Sequence, residues 1–374
     1  MLRFAFLFLA VVLLTLSLLT VRMSPDWSPW RLGVLAGEFG HWLAILALAT
    51  ALVAWFARGG AGLWAFATFV PAAVACGLFL KPSWQAWKVG RELPAKLTAQ
   101  LGPFAATRAA FSPAALFERD PAPVTVQTLH VTPELPLDFY PTERANAPCV
   151  IAIHGGGWDR GDRTQLASFN HWIARHGYAV AAISYRLAPK FQWPAQRDDV
   201  LAAIAFLKAH AAELGLDATR LILLGRSAGG QIAEAVGYTA GDPAIRGVVG
   251  LYAPSDLIFG YENAREDDIL KSPALMRQFL GGTPESARAN YESASALLHV
   301  DPKSPPTLLL HGTIDALAWY RHSVRLDARL AEHGVRHALV LMPWATHGFE
   351  FNLHGPGGQL TTFALEWFLA RVTE

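Results

Sequence analysis

Cysteine and charged residues are both scarce in this chain. It has only two cysteines, Cys76 and Cys149, in 374 residues, and charged residues make up 16%. Two cysteines cannot build a disulfide framework, and neither has a neighbour at metal-ligand spacing. The net charge of +1 comes without a basic block, which excludes nucleic acid as the main partner because phosphate binding needs concentrated Lys and Arg. The 52% hydrophobic content excludes intrinsic disorder.

Charges are scarcest in the first 80 residues, which hold only Arg3, Arg22, Asp26, Arg31, Glu38 and Arg58. Three apolar runs fill this region, at residues 4–21, 39–57 and 61–80. Each approaches the roughly 20 apolar residues that cross a bilayer core, and tryptophans cluster near their ends as in an interfacial belt. We therefore expect residues 1–81 to form about three transmembrane helices, with membrane lipid as a partner.

The first run has an alternative interpretation as a cleaved signal peptide, because Arg3 precedes an apolar stretch. No clean small-x-small cleavage site precedes Arg22, which favours an uncleaved anchor. With three spans, the cations of the first loop and of residues 81–96 share one side of the membrane, and Arg3 and Arg58 lie on the other. The positive-inside rule then favours a cytoplasmic C-terminal domain.

The hydrophobic pattern of the chain changes near residue 121. We expect residues 82–120 to form a juxtamembrane connector. Short apolar runs typical of buried parallel strands alternate there with helical patterns; they lie at residues 149–153, 179–184, 221–224, 247–252, 307–310 and 338–342. Residues 124–131 and 135–140 predict an antiparallel entry hairpin. We expect residues 121–374 to form an α/β domain with a doubly wound, mostly parallel sheet and a ligand site at the carboxyl ends of its strands.

The segment Gly225-Arg226-Ser227-Ala228-Gly229 lies between a predicted strand and a predicted helix. In that setting Gly-x-Ser-x-Gly is typical of a nucleophile elbow, which presents the serine hydroxyl above the sheet at a helix N-terminus. The alternative is a glycine-rich helix entry without chemistry. Ser227 is the candidate nucleophile.

A glycine run, His154-Gly155-Gly156-Gly157-Trp158, directly follows another predicted strand. Such a loop can turn its backbone amides towards a carbonyl oxygen, which predicts an oxyanion hole from Gly155, Gly156 and Ala228. A phosphate-binding loop is the rival interpretation, but its glycine–lysine pattern is absent from the sequence. We expect His154 to be a structural hydrogen-bonding residue.

A serine nucleophile needs a base and an acid that orients the base. Asp315 follows the strand-like run at 307–310, and His347 follows the run at 338–342, so both are expected at the carboxyl edge of the sheet. The order serine, aspartate, histidine is that of α/β-hydrolases. Asp256 and His354 are weaker candidates for the same roles. No metal spacing is present, so no metal or cofactor is expected.

Residues 121–374 resemble the α/β-hydrolase superfamily, in the carboxylesterase branch related to hormone-sensitive lipase and bacterial feruloyl-esterase-like enzymes. The resemblance is carried by HGGGW at 154–158 with GDR at 161–163, SYRLAP at 184–189, WPAQRDDV at 193–200, GRSAGG at 225–230, HGTID at 311–315 and THGF at 346–349. It implies a serine esterase with the triad Ser227, Asp315 and His347, acting on a small-molecule or lipid-like ester. No protein partner is inferred.

Three alternatives stay open at this point. An acyltransferase or transacylase would use the same triad with an alcohol acceptor, and kynurenine formamidases, which are similar around the glycine loop, suggest amide-type substrates. A membrane-tethered binding module on an inactive hydrolase fold is the non-enzymatic alternative. The resemblance together with the apolar runs suggests an integral protein of a bacterial inner membrane.

The sequence departs from the family pattern at Arg226, where relatives usually carry an acid, and after Asp315, where Ala316–Trp319 replaces a Val-Pro-like ending. Asp198 and Asp199 are expected to bind loop amides rather than substrate. Residues 255–300 are a candidate lid. An apolar substrate pocket is expected from aromatic side chains near the site loops, namely Trp158, Trp193, Trp319 and Phe349.

Overall fold

The computed structural model describes residues 2–24, 26–56 and 62–374; Arg58 and the predicted span ends at residues 57 and 61 lie outside the described residues. The α-helices are α1 (Leu2–Ser17), α2 (Trp27–Glu38), α3 (Gly40–Phe56), α4 (Gly62–Leu101), α5 (Ala167–Arg175), α6 (Ala195–Ala209), α7 (Ala211–Leu214), α8 (Ala228–Thr239), α9 (Leu257–Asn263), α10 (Ser272–Leu280), α11 (Arg288–Ala294), α12 (Arg321–Glu332) and α13 (Pro356–Val372). The strands are β1 (Gln127–Thr132), β2 (Leu135–Tyr140), β3 (Ala147–Ile153), β4 (Ala179–Ile183), β5 (Leu216–Arg226), β6 (Ile245–Leu251), β7 (Thr307–Gly312) and β8 (His337–Met342). Short 3-10 segments cover Leu18–Thr20, Ala114–Phe117, Ala296–His299 and Phe349–Phe351.

The N-terminal helices α1, α3 and α4 pack against one another through small residues. Ala10 of α1 is fully buried against Ala51 of α3 and Ala72 of α4. By length and composition, the segment Arg3–Thr20 and helix α4 can each cross a membrane, and α2 with α3 makes a third candidate that is bent by 83°. Close approach of helices through alanine is typical of membrane bundles.

Helix α4 joins the apolar bundle to the rest of the molecule. Its 40 residues give a length of about 60 Å at the α-helical rise, roughly twice the hydrocarbon thickness of a bilayer. Residues 62–80 of the third predicted span and the first part of the predicted connector are therefore one helix. Its second half buries Ala86, Leu93 and Leu97 in the core that underlies the sheet, because apolar residues recur there at helical spacing.

The sheet has eight strands in the order β1-β2-β4-β3-β5-β6-β7-β8. The pairs β1–β2 and β2–β4 are antiparallel, and the remaining neighbours are parallel. This confirms the predicted entry hairpin and the predicted α/β class. All seven residues of β3 are buried, as expected for a strand covered on both faces.

Helices cover both faces of the sheet and create two cores. Helices α6, α8 and α12 pack on one face, with α9–α11 above them. Helices α4, α5 and α13 pack on the other face. The helices α9–α11 fill the connection between β6 and β7 within the predicted lid segment. The carboxyl ends of β3, β5, β7 and β8 point to one edge, where the candidate site residues lie.

Candidate active site

Ser227 occupies the sharp turn between β5 and α8. Its φ is 55° and its ψ is −121°, a conformation that a non-glycine residue adopts only under strain. A Cβ on Gly225 would collide with the carbonyl oxygen of Gly229, and a Cβ on Gly229 would collide with that of His154. Only glycine fits at these two positions, so the segment has the form expected of a nucleophile elbow.

His347 and Asp315 form a buried hydrogen-bonded pair in the loops after β8 and β7. The His347 Nδ1 lies 2.7 Å from Asp315 Oδ2. The other carboxylate oxygen accepts hydrogen bonds from the amides of Leu317 and Ala318, at 2.8 and 3.0 Å. Burial alone would raise the pKa of Asp315, but the charges and hydrogen bonds of His347 and His311 bring it below its usual value. The aspartate is therefore held ionised beside the imidazole.

The structure brings Ser227 and His347 to the wall of one cavity of about 450 Å³. Gly155, Gly156 and Gly157 line the same cavity. The glycine loop lies directly on the elbow, because a Cβ on Gly155 would sit 3.2 Å from the Cβ of Ser227. A serine, an oriented imidazole and a run of glycines therefore line the same cavity.

The backbone amides of the glycine loop differ in whether they are free to donate a hydrogen bond to a substrate. The Gly155 amide donates to Gln165 Oε1 at 2.7 Å, so it is engaged in this structure. The amides of Gly156 and Gly157 have no acceptor among the described residues. Ala228 is the first residue of α8, and its amide has no intrahelical acceptor. In the described part of the chain, the amides of Gly156, Gly157 and Ala228 are therefore without an acceptor, whereas the Gly155 amide is occupied.

A comparison with protein families matches residues 137–330 to the BD-FAE family. The chain belongs to the BD-FAE family. The matched segment holds the glycine loop, Ser227 and Asp315 and ends before His347. Family membership and the sheet topology agree on an α/β-hydrolase fold.

Curated proteins similar to this BD-FAE chain include two from Mycobacterium tuberculosis. The chain is 31% identical to "Esterase LipC" over 60% of this chain and 59% of that protein. It is 28% identical to "Probable carboxylic ester hydrolase LipM" over 60% of this chain and 54% of that protein. The chain therefore spans a little over half the length of these relatives.

A solved structure titled "Bacterial Heroin Esterase" has the same fold as this BD-FAE chain. The TM-score is 0.59 at 23% identity, and the alignment covers 76% of this chain and 92% of that one.

The unusual Arg226 of this BD-FAE chain has a buried partner. Its Nε lies 3.0 Å from Glu350 Oε1, and both side chains are buried. Glu350 also accepts a hydrogen bond from the Tyr252 hydroxyl, and the Tyr252 ring packs on the His347 ring with centroids 4.1 Å apart. The departure from the family pattern at Arg226 is thus balanced by an acid that sequence reasoning did not connect with it.

Of the four aromatic residues predicted for the pocket, the structure places two in the wall of a cavity at Ser227. Trp158 and Trp319 line a second cavity of about 170 Å³, which also reaches Ser227. In the described part of the chain, Trp193 and Phe349 line neither cavity. Both are almost fully buried, and Trp193 packs edge-on against the Phe279 ring. Their apolar surface is used in the core rather than at the site.

Sequence reasoning missed the aromatic residues that do line the larger cavity beside Ser227. They are Trp27, Trp30, Tyr252 and Phe351. The first two belong to α2, which begins at a capping carboxylate, because Asp26 accepts a hydrogen bond from the Trp27 amide at 2.6 Å. That capping residue was the available signal for a helix between the first two apolar runs.

The weaker candidates have structural roles. Asp256 caps α9 by accepting from the Phe259 amide at 3.0 Å and pairs with Arg325. His354 lies beside acidic residues of the connector, Glu118 and Asp120, and does not line the Ser227 cavities.

Asp198, Asp199 and His154 were expected to have structural roles. The Asp199 carboxylate accepts from the Arg186 amide at 2.8 Å, as expected, whereas Asp198 pairs with Arg197 at the surface. His154 is confirmed as a structural residue: its Nδ1 lies 2.8 Å from the Gly155 carbonyl oxygen, and its ring stacks on Tyr185. Burial lowers the pKa of His154.

Proposed function

We propose that this chain is a membrane-anchored serine carboxylesterase that hydrolyses carboxylic esters through Ser227, His347 and Asp315. The observation that carries the proposal is the shared cavity: its wall contains both Ser227, on an elbow, and His347, whose Nδ1 is held by Asp315. Membership of the BD-FAE family and similarity to proteins named as esterases support it.

The proposed reaction has two steps. His347 takes the proton of the Ser227 hydroxyl as the oxygen attacks the ester carbonyl, and the amides of Gly156, Gly157 and Ala228 hold the resulting oxyanion. His347 then protonates the leaving alcohol as the ester C–O bond breaks. Water, deprotonated by the same imidazole, attacks the acyl-enzyme, and the acid leaves as Ser227 regains its proton. One ester and one water yield one acid and one alcohol.

The proposed nucleophile is tested by Ser227→Ala in the purified full chain. Turnover of p-nitrophenyl butyrate should fall on the order of 10⁶-fold, to the background level, and a fluorophosphonate probe should label the parent chain but not the variant. Ser304→Ala, in the turn before β7, is the matched serine control and should keep full activity. Unchanged turnover in Ser227→Ala would refute the triad.

Membrane anchoring is proposed from the apolar helices. Helix α1 is packed into the bundle, where the Thr20 hydroxyl reaches the Leu78 carbonyl oxygen of α4 at 3.2 Å, which supports an uncleaved anchor. Trp84 and Trp87 are exposed on α4 with Lys88 and Arg91 over their rings. Exposed tryptophan with cations is typical of the headgroup level. The chain should stay in the pellet after alkaline carbonate extraction.

The side of the membrane follows from the cation count. Three spans put α2 and the α/β domain on the same side, together with the cations of α4, and the positive-inside rule makes that side cytoplasmic. Protease added to inverted vesicles should therefore remove the α/β domain, and protease added to intact spheroplasts should not. Digestion of the α/β domain in intact spheroplasts would place that domain on the opposite side of the membrane.

A further inference from the structure

Helix α2, far from the α/β domain in sequence, forms one wall of the cavity at Ser227. Trp27, Trp30, Arg31, Val34 and Leu35 all line it. Trp30 lies over the loop of the proposed base, since its Cζ2 is 4.0 Å from the position of a Cβ on Gly348. The proposed active site is therefore completed by the segment between the first and second apolar helices.

The position of α2 is held by its last residue. The buried Glu38 carboxylate accepts a hydrogen bond from the Gly357 amide, in the first turn of α13, at 2.9 Å. Its carbonyl oxygen accepts from the Asn352 side chain at 3.1 Å. A carboxylate at a helix N-terminus is a favourable arrangement. Helix α2 is thus fixed to the α/β domain, next to the loop that carries His347.

The rim of this cavity lies where the apolar bundle begins. Leu35 and Phe351 line the cavity, and both side chains are exposed. The Phe351 ring contacts the ring of Phe39, the residue before α3, with centroids 6.5 Å apart. Helix α3 starts against α4 at Phe79, where a Cβ on Gly40 would collide with the carbonyl oxygen. The rim is therefore at the level where α3 and α4 enter the proposed membrane.

Helices α2 and α3 meet at an angle of 83°, which fixes the direction of α2 relative to a membrane-spanning α3. If α3 crosses the bilayer, α2 runs close to parallel with the membrane surface. Its outward side carries Leu32, which is exposed and does not line the cavity. A helix that lies in the membrane plane with apolar residues towards the lipid is typical of the interfacial zone.

Two cavities of unequal volume meet at Ser227. They provide separate space for the acyl part and the alcohol part of an ester. The larger lies under α2 and has mostly apolar walls, and the smaller lies under α9 and α10. Leu270 and Leu275 line both. The larger cavity falls in the size range of small-molecule sites, and its exposed rim is the part nearest the bundle.

Resting on the proposed esterase function, we propose that the substrate is an amphiphilic carboxylic ester with a long apolar chain. It enters from the bilayer at the Leu35–Phe351 rim and places that chain under α2. Helix α2 is then a specificity-determining wall, and the reacting ester group reaches Ser227 while the rest of the substrate leaves the lipid.

The first test changes the volume under α2. Val34→Phe fills the cavity and Val34→Ala enlarges it, and kcat/KM is compared for p-nitrophenyl decanoate against butyrate and for decyl butyrate against ethyl butyrate. In at least one pair, Val34→Phe should lower the long-to-short ratio by about tenfold, and Val34→Ala should not lower it. Unchanged ratios in both pairs would overturn the role of α2. Should Val34→Phe fail to fold, Val34→Ala decides: the larger space should raise the long-to-short ratio in at least one pair, and ratios that fall or stay the same in both pairs would overturn the role of α2.

The second test asks whether substrate comes from the bilayer. Leu32→Asp places a charge on the lipid side of α2, outside the cavity, and Leu298→Asp places one on an exposed leucine of the α/β domain. In reconstituted vesicles, Leu32→Asp should lower turnover of a long-chain ester embedded in the same vesicles by about tenfold, and Leu298→Asp should not. Turnover of aqueous p-nitrophenyl acetate should stay the same in both.

The two proposals fail in different ways. Equal loss on embedded and aqueous esters in Leu32→Asp, or no loss on either, would overturn entry from the bilayer while Ser227-dependent hydrolysis persists. Ser227→Ala that keeps parent activity on both esters would instead overturn the esterase function itself.

Discussion

Arg226 and Glu350 are joined by a buried ion pair that connects the two loops of the proposed site. Arg226 immediately precedes Ser227, and Glu350 is the third residue after His347. Their Nε–Oε1 distance is 3.0 Å with side-chain exposures of 2% and 0%. Because the Tyr252 hydroxyl also donates to Glu350 and its ring packs on His347, the pair fixes the spacing between elbow and base.

The first prediction concerns this pair. Arg226→Met or Glu350→Leu alone should lower the free energy of unfolding by about 3–5 kcal/mol, because each leaves an uncompensated buried charge. The double variant should lose much less than the sum of the two. A double-mutant cycle on chemical unfolding in detergent measures this, and strictly additive losses would show that the two charges are not coupled.

Asp315→Asn is expected to abolish most activity without unfolding the chain. The amide can no longer hold the Nδ1–H tautomer of His347 or stabilise the imidazolium, so kcat should fall by roughly 10⁴-fold. Asp256→Asn is the matched control, since an amide oxygen can still cap α9, and it should keep most of the activity. Steady-state kinetics with p-nitrophenyl butyrate measure both variants. A strong loss of kcat in Asp256→Asn and none in Asp315→Asn would show that Asp256, and not Asp315, orients the base.

Gln165→Ala tests which amides form the oxyanion hole. Gln165 holds the Gly155 amide, so its loss should loosen the glycine loop and lower kcat about two- to tenfold, with little change in KM. Thr164→Ala removes a hydroxyl that donates to Asp162 rather than to the glycine loop, and this variant should behave like the parent. An increase in kcat in Gln165→Ala would instead show that Gly155 is a donor that Gln165 restrains.

Glu234 should make stability depend on pH in the neutral range. Burial raises the pKa of this α8 side chain from 4.5 to about 8. Its protonated form is favoured in the folded state, so the stability is fully present below pH 4.5 and is lost as pH rises towards 8, by up to about 1.4 kcal/mol per pH unit. Thermal unfolding at pH 5 to 8 should show this decline in the parent chain and not in Glu234→Gln. The exposed Glu213→Gln is the control and should show the same decline as the parent chain. If Glu234→Gln also lost stability between pH 5 and 8, Glu234 would not be the origin of the decline.

Short-range pattern predicted much of the fold and the site. At the elbow, a Cβ on Gly225 is excluded by the Gly229 carbonyl oxygen, within the same five residues, whereas a Cβ on Gly229 is excluded by His154, which lies far away in the chain. Buried parallel strands follow from apolar runs that need no partner to be recognised. Asp315 and His347 were predictable because parallel strands bring their carboxyl ends to one edge. Trp193 and Phe349 were wrongly assigned to the pocket, because closeness in sequence to a loop does not decide which way a ring packs.

By itself the amino-acid sequence determined the apolar helices and the α/β class, since the hydrophobic period is a local property of the chain, and it supplied the candidate reacting groups. Only the tertiary structure decided what surrounds those groups: the pairing of Arg226 with Glu350, the capture of the Gly155 amide by Gln165, and the placement of α2 over Ser227. The first and the last of these join residues far apart in the chain, and the second depends on how a loop of ten residues folds back on itself. All three depend on the packing of the folded molecule, which no short sequence pattern specifies.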